Sequence, residues 1–467
     1  MRHRNWITLL TGLFALLPAP ALARQTWTRV LMVEGQKNYV MAMHAPDSSN
    51  AFLVAGVDNG GNSEMQGHKT TNGNSFSRTS LPTASGAMAM IMFSAVAMLD
   101  ANVLFLGGME VSFPNFQNKL WRSTNGGGSW EVVSSALPEL PERLVVLSDG
   151  TLVGAHAGGI FRVTGTTVTD AAVPALGDRS IAALQMLDDL VGYAAGGNGP
   201  TDDEPNVPYG DGFVLKTTDG GQTWSMIAQN LPMKVHSVFF LNEERGWIGG
   251  AGPTTGLLYR STDDGATWSP LTLPPHPEFD YEITMPWKIN QHVDPTPPTD
   301  VVGVRFFDCN RGVALAIACI GGCDSDQPTF ITLFWHTSDA GNTWEFDPDF
   351  EPVMVGGQMM PEAKKLSAML HLQFPGINSG FIAGQHAMVL RYSALVPEAE
   401  PGPPPATCVG GNNNNNNNNT NNGTGDDPSG SDDGCGCRTG SRGPFAPAGL
   451  PLLGLGLLLA RRRKRHG

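Results

Sequence analysis

The chain has 467 residues, of which 15% are charged, with 57 glycines and 35 prolines. That length suffices for a sizeable core in one large repeat domain or two ordinary ones, and the composition suits short strands joined by turns rather than long helices. A formal net charge of -14 provides no cationic excess to neutralise phosphates, which argues against a nucleic-acid partner.

Residues 1–23 read as a signal peptide: a basic start, an apolar run from Trp6 to Leu17, and the small-residue site Ala21-Leu22-Ala23, with cleavage before Arg24. The run is short and Pro18 and Pro20 interrupt it, so it is a poor membrane-spanning helix. Next comes "QTWTRVLMV", residues 25 to 33, a short β-type run whose Trp27 takes its meaning from the far end of the chain.

From Val40 onward an apolar strand, a polar corner and a small-residue strand ending in Gly recur seven times. Copies start at Val40, Ala95, Leu144, Ala183, Ser237, Gly303 and His371. Their spacing, roughly 40 to 70 residues, is that of propeller blades with insertions. Each unit reads as four strands, A to D; in the fifth these are "VHSVFFL", "GWIGGA", "GLLYRST" and a strand opening at Trp268.

Between strands C and D lies a second repeated motif. It reads "WRSTNGGGSW" from Trp121, "LKTTDGGQTW" from Leu215, "YRSTDDGATW" from Tyr259 and "WHTSDAGNTW" from Trp335, with a shortened form from His68. Asn125, Asp219, Asp263 and Asp339 are placed to bond the turn's own amides. Trp130, Trp224, Trp268 and Trp344 each present a large apolar surface to a neighbouring unit. The third copy, "GIFRVTGTTVTD", has a turn but neither Asp nor Trp. Repetition at this frequency marks scaffold rather than an active site.

The seventh unit stops after its strand C, "AMVLRYS". Residues 25 to 33, with Trp27 at the place of the residue opening each well-formed strand D, are expected to complete it and close the ring. The expected fold is all-β: a seven-bladed β-propeller over residues 24–395, closed by the N-terminal strand. A Pro-, Asn-, Gly- and Asp-rich segment, 396–434, has too few apolar residues for a core and reads as a disordered linker. Residues 435–467 hold Cys435 and Cys437, a short apolar stretch from Pro444 to Ala460, and a basic cluster from Arg461 to Arg465. Cys319 and Cys323 flank a short turn across which they could pair.

The repeated turns resemble those of BNR or Asp-box repeat propellers, a group including sialidases, xyloglucan-active hydrolases, sortilin-like receptors and the photosystem II stability factor family. "GWIGG" followed by "LYRSTDDGATW" is most similar to the stability-factor type. The three-part ending resembles the MYXO-CTERM sorting tail of myxobacterial surface proteins, which implies processing near the cysteines and a final position at the cell surface. Asp boxes identify the fold and not the activity.

Sialidases are implied to need three arginines on a carboxylate, a Tyr-Glu nucleophilic pair and an acid. Strand C carries Arg122, Arg162, Arg260 and Arg391, but Lys69, Lys216 and His336 hold the same position in the other copies, as a repeated blade contact would. A less regular set, Arg143, Arg179, Lys234, Arg305 and Lys365, lies on or near the inner strands. Templates for esterase, zinc-protease and phosphate-loop chemistry are absent, as are zinc-like and EF-hand spacings, so no catalytic residue, metal or cofactor is assigned.

Strand alternation puts the A-to-B corners and Asp boxes on one face and the B-to-C and D-to-A connections on the other. The long insertions, 109–118, 197–211, 273–300, 319–328 and 351–365, fall on that second face. Phe113, Phe116, Tyr209, Phe279, Tyr281 and Trp287 there are the expected binding residues. The expectation is an exported, surface-anchored monomer that binds a protein or glycan through this loop face and meets the membrane through its tail. The alternative is a secreted glycoside hydrolase, and a third reading is a structural envelope component.

Overall fold

The computed structural model describes residues 25–33, 38–58, 63–85, 89–199, 207–253, 255–284, 288–293, 295, 297–321, 329–347, 350, 369–384, 387–394, 397–403, 405 and 408. Side chains of 25, 26, 279–293, 319–321, 329–331, 369 and 370 are outside that description. Seven four-stranded antiparallel sheets form the ring, and a separate two-stranded hairpin stands beside them.

Strand A of the blades runs, in order, over Tyr39–His44, Met90–Met98, Arg143–Val146, Ser180–Met186, Lys234–Phe240, Asp300–Phe306 and Met369–Gly376. These strands pack successively against one another, and the seventh returns to the first. Blade 5 shows the register of the rest: Lys234–Phe240, Gly246–Ala251, Gly256–Ser261 and Ser269–Leu271. The third blade builds a fourth strand, Thr167–Asp170, without an Asp-bearing turn, using Gly165 at φ +63.

The closure expected from Trp27 is present. Gln25–Leu31 pairs antiparallel with Val389–Ala394, placing Trp27 opposite Tyr392. The buried indole stands edge-on to Phe334, Phe350 and Tyr392 at centroid distances of 5.0, 5.2 and 5.3 Å. Its Nε1–H donates to Asp347 Oδ2 at 2.8 Å. Trp27 therefore packs into the junction with the preceding blade, as the tryptophans after the Asp-bearing turns do: Trp130 stands edge-on to Phe52 of blade 1 at 5.8 Å, and Trp344 joins the cluster between blades 5 and 6.

The core lies between blades rather than at the centre. Seven buried apolar clusters correspond to the seven junctions, including that between blades 7 and 1. Aromatics on strand B stack on those of the next blade's strand A: Tyr193 on Phe240 at 3.5 Å, and Trp247 on Phe306 at 3.6 Å. Small residues elsewhere on strand B let the blades approach; a Cβ at Gly249 would meet Val301 at 2.6 Å.

Strand A is a sheet edge with outward backbone groups that need partners. Side chains of the preceding blade supply several of them. Met98 N–H donates to His44 Nδ1 at 2.7 Å, Phe240 N–H to Gln185 Oε1 at 2.7 Å, and Ala45 N–H to Gln373 Oε1 at 3.3 Å.

The segment after the last blade departs from expectation. In the segment expected to be a free linker from 396, the described residues 397–403, 405 and 408 include several bonded to blade corners on the face of the Asp-bearing turns, and Cys408 forms a disulfide with Cys309. Asn378 Nδ2 donates to Glu398 O at 2.8 Å, Asn242 Nδ2 to Pro405 O at 2.7 Å, and Arg245 Nη2 to Cys408 O at 3.2 Å. Proline-rich composition hid this attachment, since what holds the segment is blade-corner polar groups and one sulfur. The Cys319–Cys323 pairing and the sorting residues Cys435 and Cys437 lie outside the described residues.

Candidate functional site

The two faces differ in chemistry. On one, the Asp-bearing turns satisfy themselves. Asp219 Oδ1 accepts from the amides of Gln222 and Thr223, both at 2.9 Å, and Oδ2 accepts from Thr223 Oγ1 at 2.6 Å. Burial alone would raise its pKa, yet these bonds and that from Thr217 together hold it down at about 2. Asp263 and Asp339 repeat the bond to the amide four residues on, at 2.9 and 2.8 Å, and Asn125 Oδ1 accepts the Ser129 amide at 2.9 Å. The turn has two successive left-handed positions; the second is glycine, as at Gly221 with φ +84, whereas the first is taken by Asp264 at φ +61 and Ala340 at φ +64 in two copies.

The basic position on strand C reaches into the next blade's turn. Lys69 Nζ donates to Ala101 O at 2.6 Å and Gly126 O at 3.2 Å. Arg260 Nη1 donates to Ala340 O at 3.0 Å, Lys216 pairs with Asp264 and Glu243, and Arg391 bonds Asn74 across the closure. These cations stitch the ring together, which accounts for their repetition.

The opposite face collects groups that are less fully partnered. Strand A of blade 3 opens with Arg143, which is only 6% exposed. Its Nη1 donates to Glu142 O at 2.7 Å, while Nε and Nη2 have no hydrogen-bond partner among the described residues. Burial pulls the guanidinium pKa down to about 10, against the opposing charge of Glu142. From blade 7, buried His371 directs Nε2 to Val40 O at 2.9 Å and leaves Nδ1 unpartnered. Burial lowers its pKa to about 4; the Val40 bond opposes this and the Arg143 charge reinforces it.

Blades 4 to 6 complete the same end of the ring. Burial lowers the Lys234 pKa, against the charges of Glu142 and Asp300. His236 Nδ1 lies 2.7 Å from Asp300 Oδ2, and Tyr209 stands edge-on over the imidazole at 6.1 Å. Burial raises the Tyr209 pKa, and the Asp300 charge adds to the effect. Each of these groups lies on the first half of a strand A, or on a B-to-C connection, so the ring order places five blades' polar groups toward the channel on the loop-face side.

Further out on this face, blade 2 extends a hairpin. The expected 109–118 insertion is a continuation of paired strands, Leu104–Ser112 and Asn115–Ser123, with Phe113 at its tip. Phe113 is 85% exposed and Phe116 41%. A buried ion pair braces the hairpin: Lys119 Nζ lies 2.8 Å from Glu110 Oε2, and the amide of Ser85 donates to the same carboxylate at 3.1 Å.

The other expected binding residues divide. Tyr209 is half-buried at the channel mouth. Phe279 and Tyr281 belong to the strand Phe279–Thr284 of the separate hairpin, paired with Lys288–Val293, and their side chains are outside the description, as is Trp287 altogether. Of the inner basic set, Arg143 and Lys234 are on strand A among these groups. Arg179 instead lies over Phe213 at 5.2 Å, Arg305 stacks on Phe239 at 4.8 Å toward the far end of its strand, and Lys365 is outside the described residues. Sequence reading missed Glu142, His371 and Asp300; the available signal was a polar residue near the opening of an otherwise apolar strand A. Among the described residues, no group of three or more His, Cys, Asp or Glu stands close enough to hold a metal ion.

Neither a protein-family model nor a curated protein matches the chain. Solved structures do. One described as YCF48 bound to D1 peptide is 17% identical, with TM-score 0.48, over 79% of this chain and 96% of that one. The GH74 xyloglucanase from Xanthomonas campestris is 14% identical, with TM-score 0.51, over 78% of this chain and 53% of the enzyme, so this chain spans about half its length. The WD40 β-propeller domain of Doa1 is 9% identical, with TM-score 0.44. At these identities the likeness is one of fold alone. The chain is an all-β, seven-bladed β-propeller.

Proposed function

We propose that this chain is an exported propeller, tethered at the cell surface through its C-terminal tail, that binds a protein or glycan partner through the face opposite the Asp-bearing turns. The observation that carries this reading is Phe113, 85% exposed at the tip of a hairpin braced by the buried Lys119–Glu110 pair. A rigidly mounted exposed aromatic loses little entropy on docking and offers a large contact area. Two further features support the setting. The Cys309–Cys408 disulfide suits an oxidising compartment. Cys408 and Pro405 are held at the A-to-B corners of blades 5 and 6, on the face of the Asp-bearing turns, which supports a chain that leaves from the side opposite the loop face.

The test is affinity capture from envelope extract with three proteins: wild type, a Phe113→Ser/Phe116→Ser variant, and Leu190→Ser. Leu190, 59% exposed, sits on an A-to-B corner of the opposite face. A partner retained by wild type and Leu190→Ser but lost by the double variant is the expected result. The reverse pattern, or release of sugar from xyloglucan or sialosides by the purified protein, overturns the reading.

A further inference from the structure

We propose that the outer edge of blade 4 is a docking strip for an extended, uncharged peptide segment, which adds there as a further strand and sets alternate apolar side chains into an adjoining groove. The strip is Ser225–Leu231, the last strand of that blade. Pairing with Gly210–Thr217 uses one edge of it, and among the described residues no strand or backbone group bonds the other. An open row of amides and carbonyls is a template for another chain, and proteins blunt such edges with short strands, charged side chains or proline. The other blades do so. Ser77–Thr79 carries Arg78, Glu131–Ser134 carries Glu131, Thr167–Asp170 carries Asp170, Ser269–Leu271 carries Pro270 and Glu345–Phe346 carries Glu345, and none of these strands exceeds 4 residues. The closing strand Gln25–Leu31 carries Arg29. Ser225–Leu231, at 7 residues, has neither charge nor proline.

Beside the strip lies a groove of about 470 Å³, lined by Met226, Ile227, Ala228, Leu231, Ala266 and Trp268. Leu215 faces Met226 and Val214 faces Ala228, so Ile227 is an extra residue on the strip, and it borders the junction with blade 5 together with Ala228. The Asp-bearing turn of blade 5 forms the far wall; a Cβ at Gly265 would meet Ile227 Cδ1 at 2.7 Å. Side chains of a strand alternate between faces, so an added strand can send alternate residues into the groove while its backbone pairs with the strip. The occupant follows from charge. Neither the strip nor the groove lining holds a charged residue, so a charged segment would lose hydration without a counter-charge in return. A second copy fits poorly, because each chain carries a formal net charge of -14 and the strip has no cation to offset the repulsion.

Fluorescence anisotropy on the whole purified protein would use a labelled, capped peptide, Thr-Val-Thr-Leu-Thr-Val-Thr. Its controls are a form with Lys for the central Leu and two forms N-methylated at alternate residues, one for each edge. The expected result is binding of the parent and of one methylated form, loss of binding by the other, and weak binding of the lysine form. Hydrogen exchange should slow in Ser225–Leu231 when the parent is added. Ala266→Trp, at an exposed position, fills the groove and should weaken the parent about tenfold or more, the worth of burying one apolar side chain. Phe113→Ser/Phe116→Ser should leave peptide binding unchanged, since that hairpin belongs to blade 2. Absence of binding, equal behaviour of the two methylated forms, protection at another strand, or unchanged affinity in a folded Ala266→Trp protein each overturns the proposal. So does a wild-type dimer in sedimentation that Gln229→Lys disperses, which would give the strip to a second copy. The wild-type peptide series decides the matter even where a variant fails to fold.

Discussion

Removing Trp27 tests the ring closure most directly. The side chain is 8% exposed, meets four aromatic rings at 5.0 to 6.3 Å, and donates to Asp347. Truncating a buried tryptophan to alanine costs about 3–5 kcal/mol, from lost transfer energy and the cavity left behind. Asp347 keeps its bond with His336 Nε2 at 3.0 Å, so little further penalty arises from an abandoned carboxylate. With an unfolding entropy of about 2.1 cal/mol/K per residue over about 370 residues, a loss of about 4 kcal/mol lowers Tm by about 5 °C. Scanning calorimetry of Trp27→Ala and Trp27→Phe measures it, and hydrogen exchange of the amides in Val389–Ala394 locates it. The phenylalanine variant keeps most of the ring packing and should fall by less than half as much. A Trp27→Ala protein melting within about 1 °C of wild type, with unchanged exchange in that strand, would refute closure by the N-terminal strand.

Further outcomes follow from the same structure. Lys119→Met strands the Glu110 carboxylate in a buried site and should cost about 3–5 kcal/mol, while Lys119→Met/Glu110→Gln recovers much of it; a denaturant double-mutant cycle reads the coupling. Asp219 has a folded-state pKa depressed to about 2, so its contribution is fully present above the ordinary value of 3.8 and is lost as pH falls toward 2; Asp219→Asn should flatten the fall in Tm between pH 5 and pH 2. Opening the Cys309–Cys408 bond, which spans 99 residues, should cost about 5 kcal/mol by chain entropy and make the chain before Cys408 sensitive to protease, with Cys408→Ser and mild reduction giving the same cleavage pattern. Arg143→Met removes a buried, incompletely partnered charge and should leave Tm unchanged or raise it, whereas a purely structural arginine would lower it.

What the amino-acid order determined alone is local and periodic. The Ser- or Thr-led turns with Asp219, Asp263 or Asp339 close upon residues within four positions, so their geometry was legible without knowing the fold. The seven strand-corner-strand repeats, and the missing fourth strand of the last, required Trp27 to complete a sheet, because an unpaired edge and an unfilled junction would otherwise remain. Tertiary structure alone decided what the ring gathers at its mouth. Arg143, Lys234, Asp300 and His371 lie on four different blades, and nothing in their separate strands distinguishes them from Arg179 and Arg305, which the same architecture turns aside onto Phe213 and Phe239. The attachment of residues 397–408 was hidden for the same reason, since its partners Asn242, Arg245 and Cys309 belong to blades 5 and 6. A repeat writes its own fold into every copy, whereas a site at the axis is assembled from the positions where the copies differ, and those become neighbours only once the ring is shut.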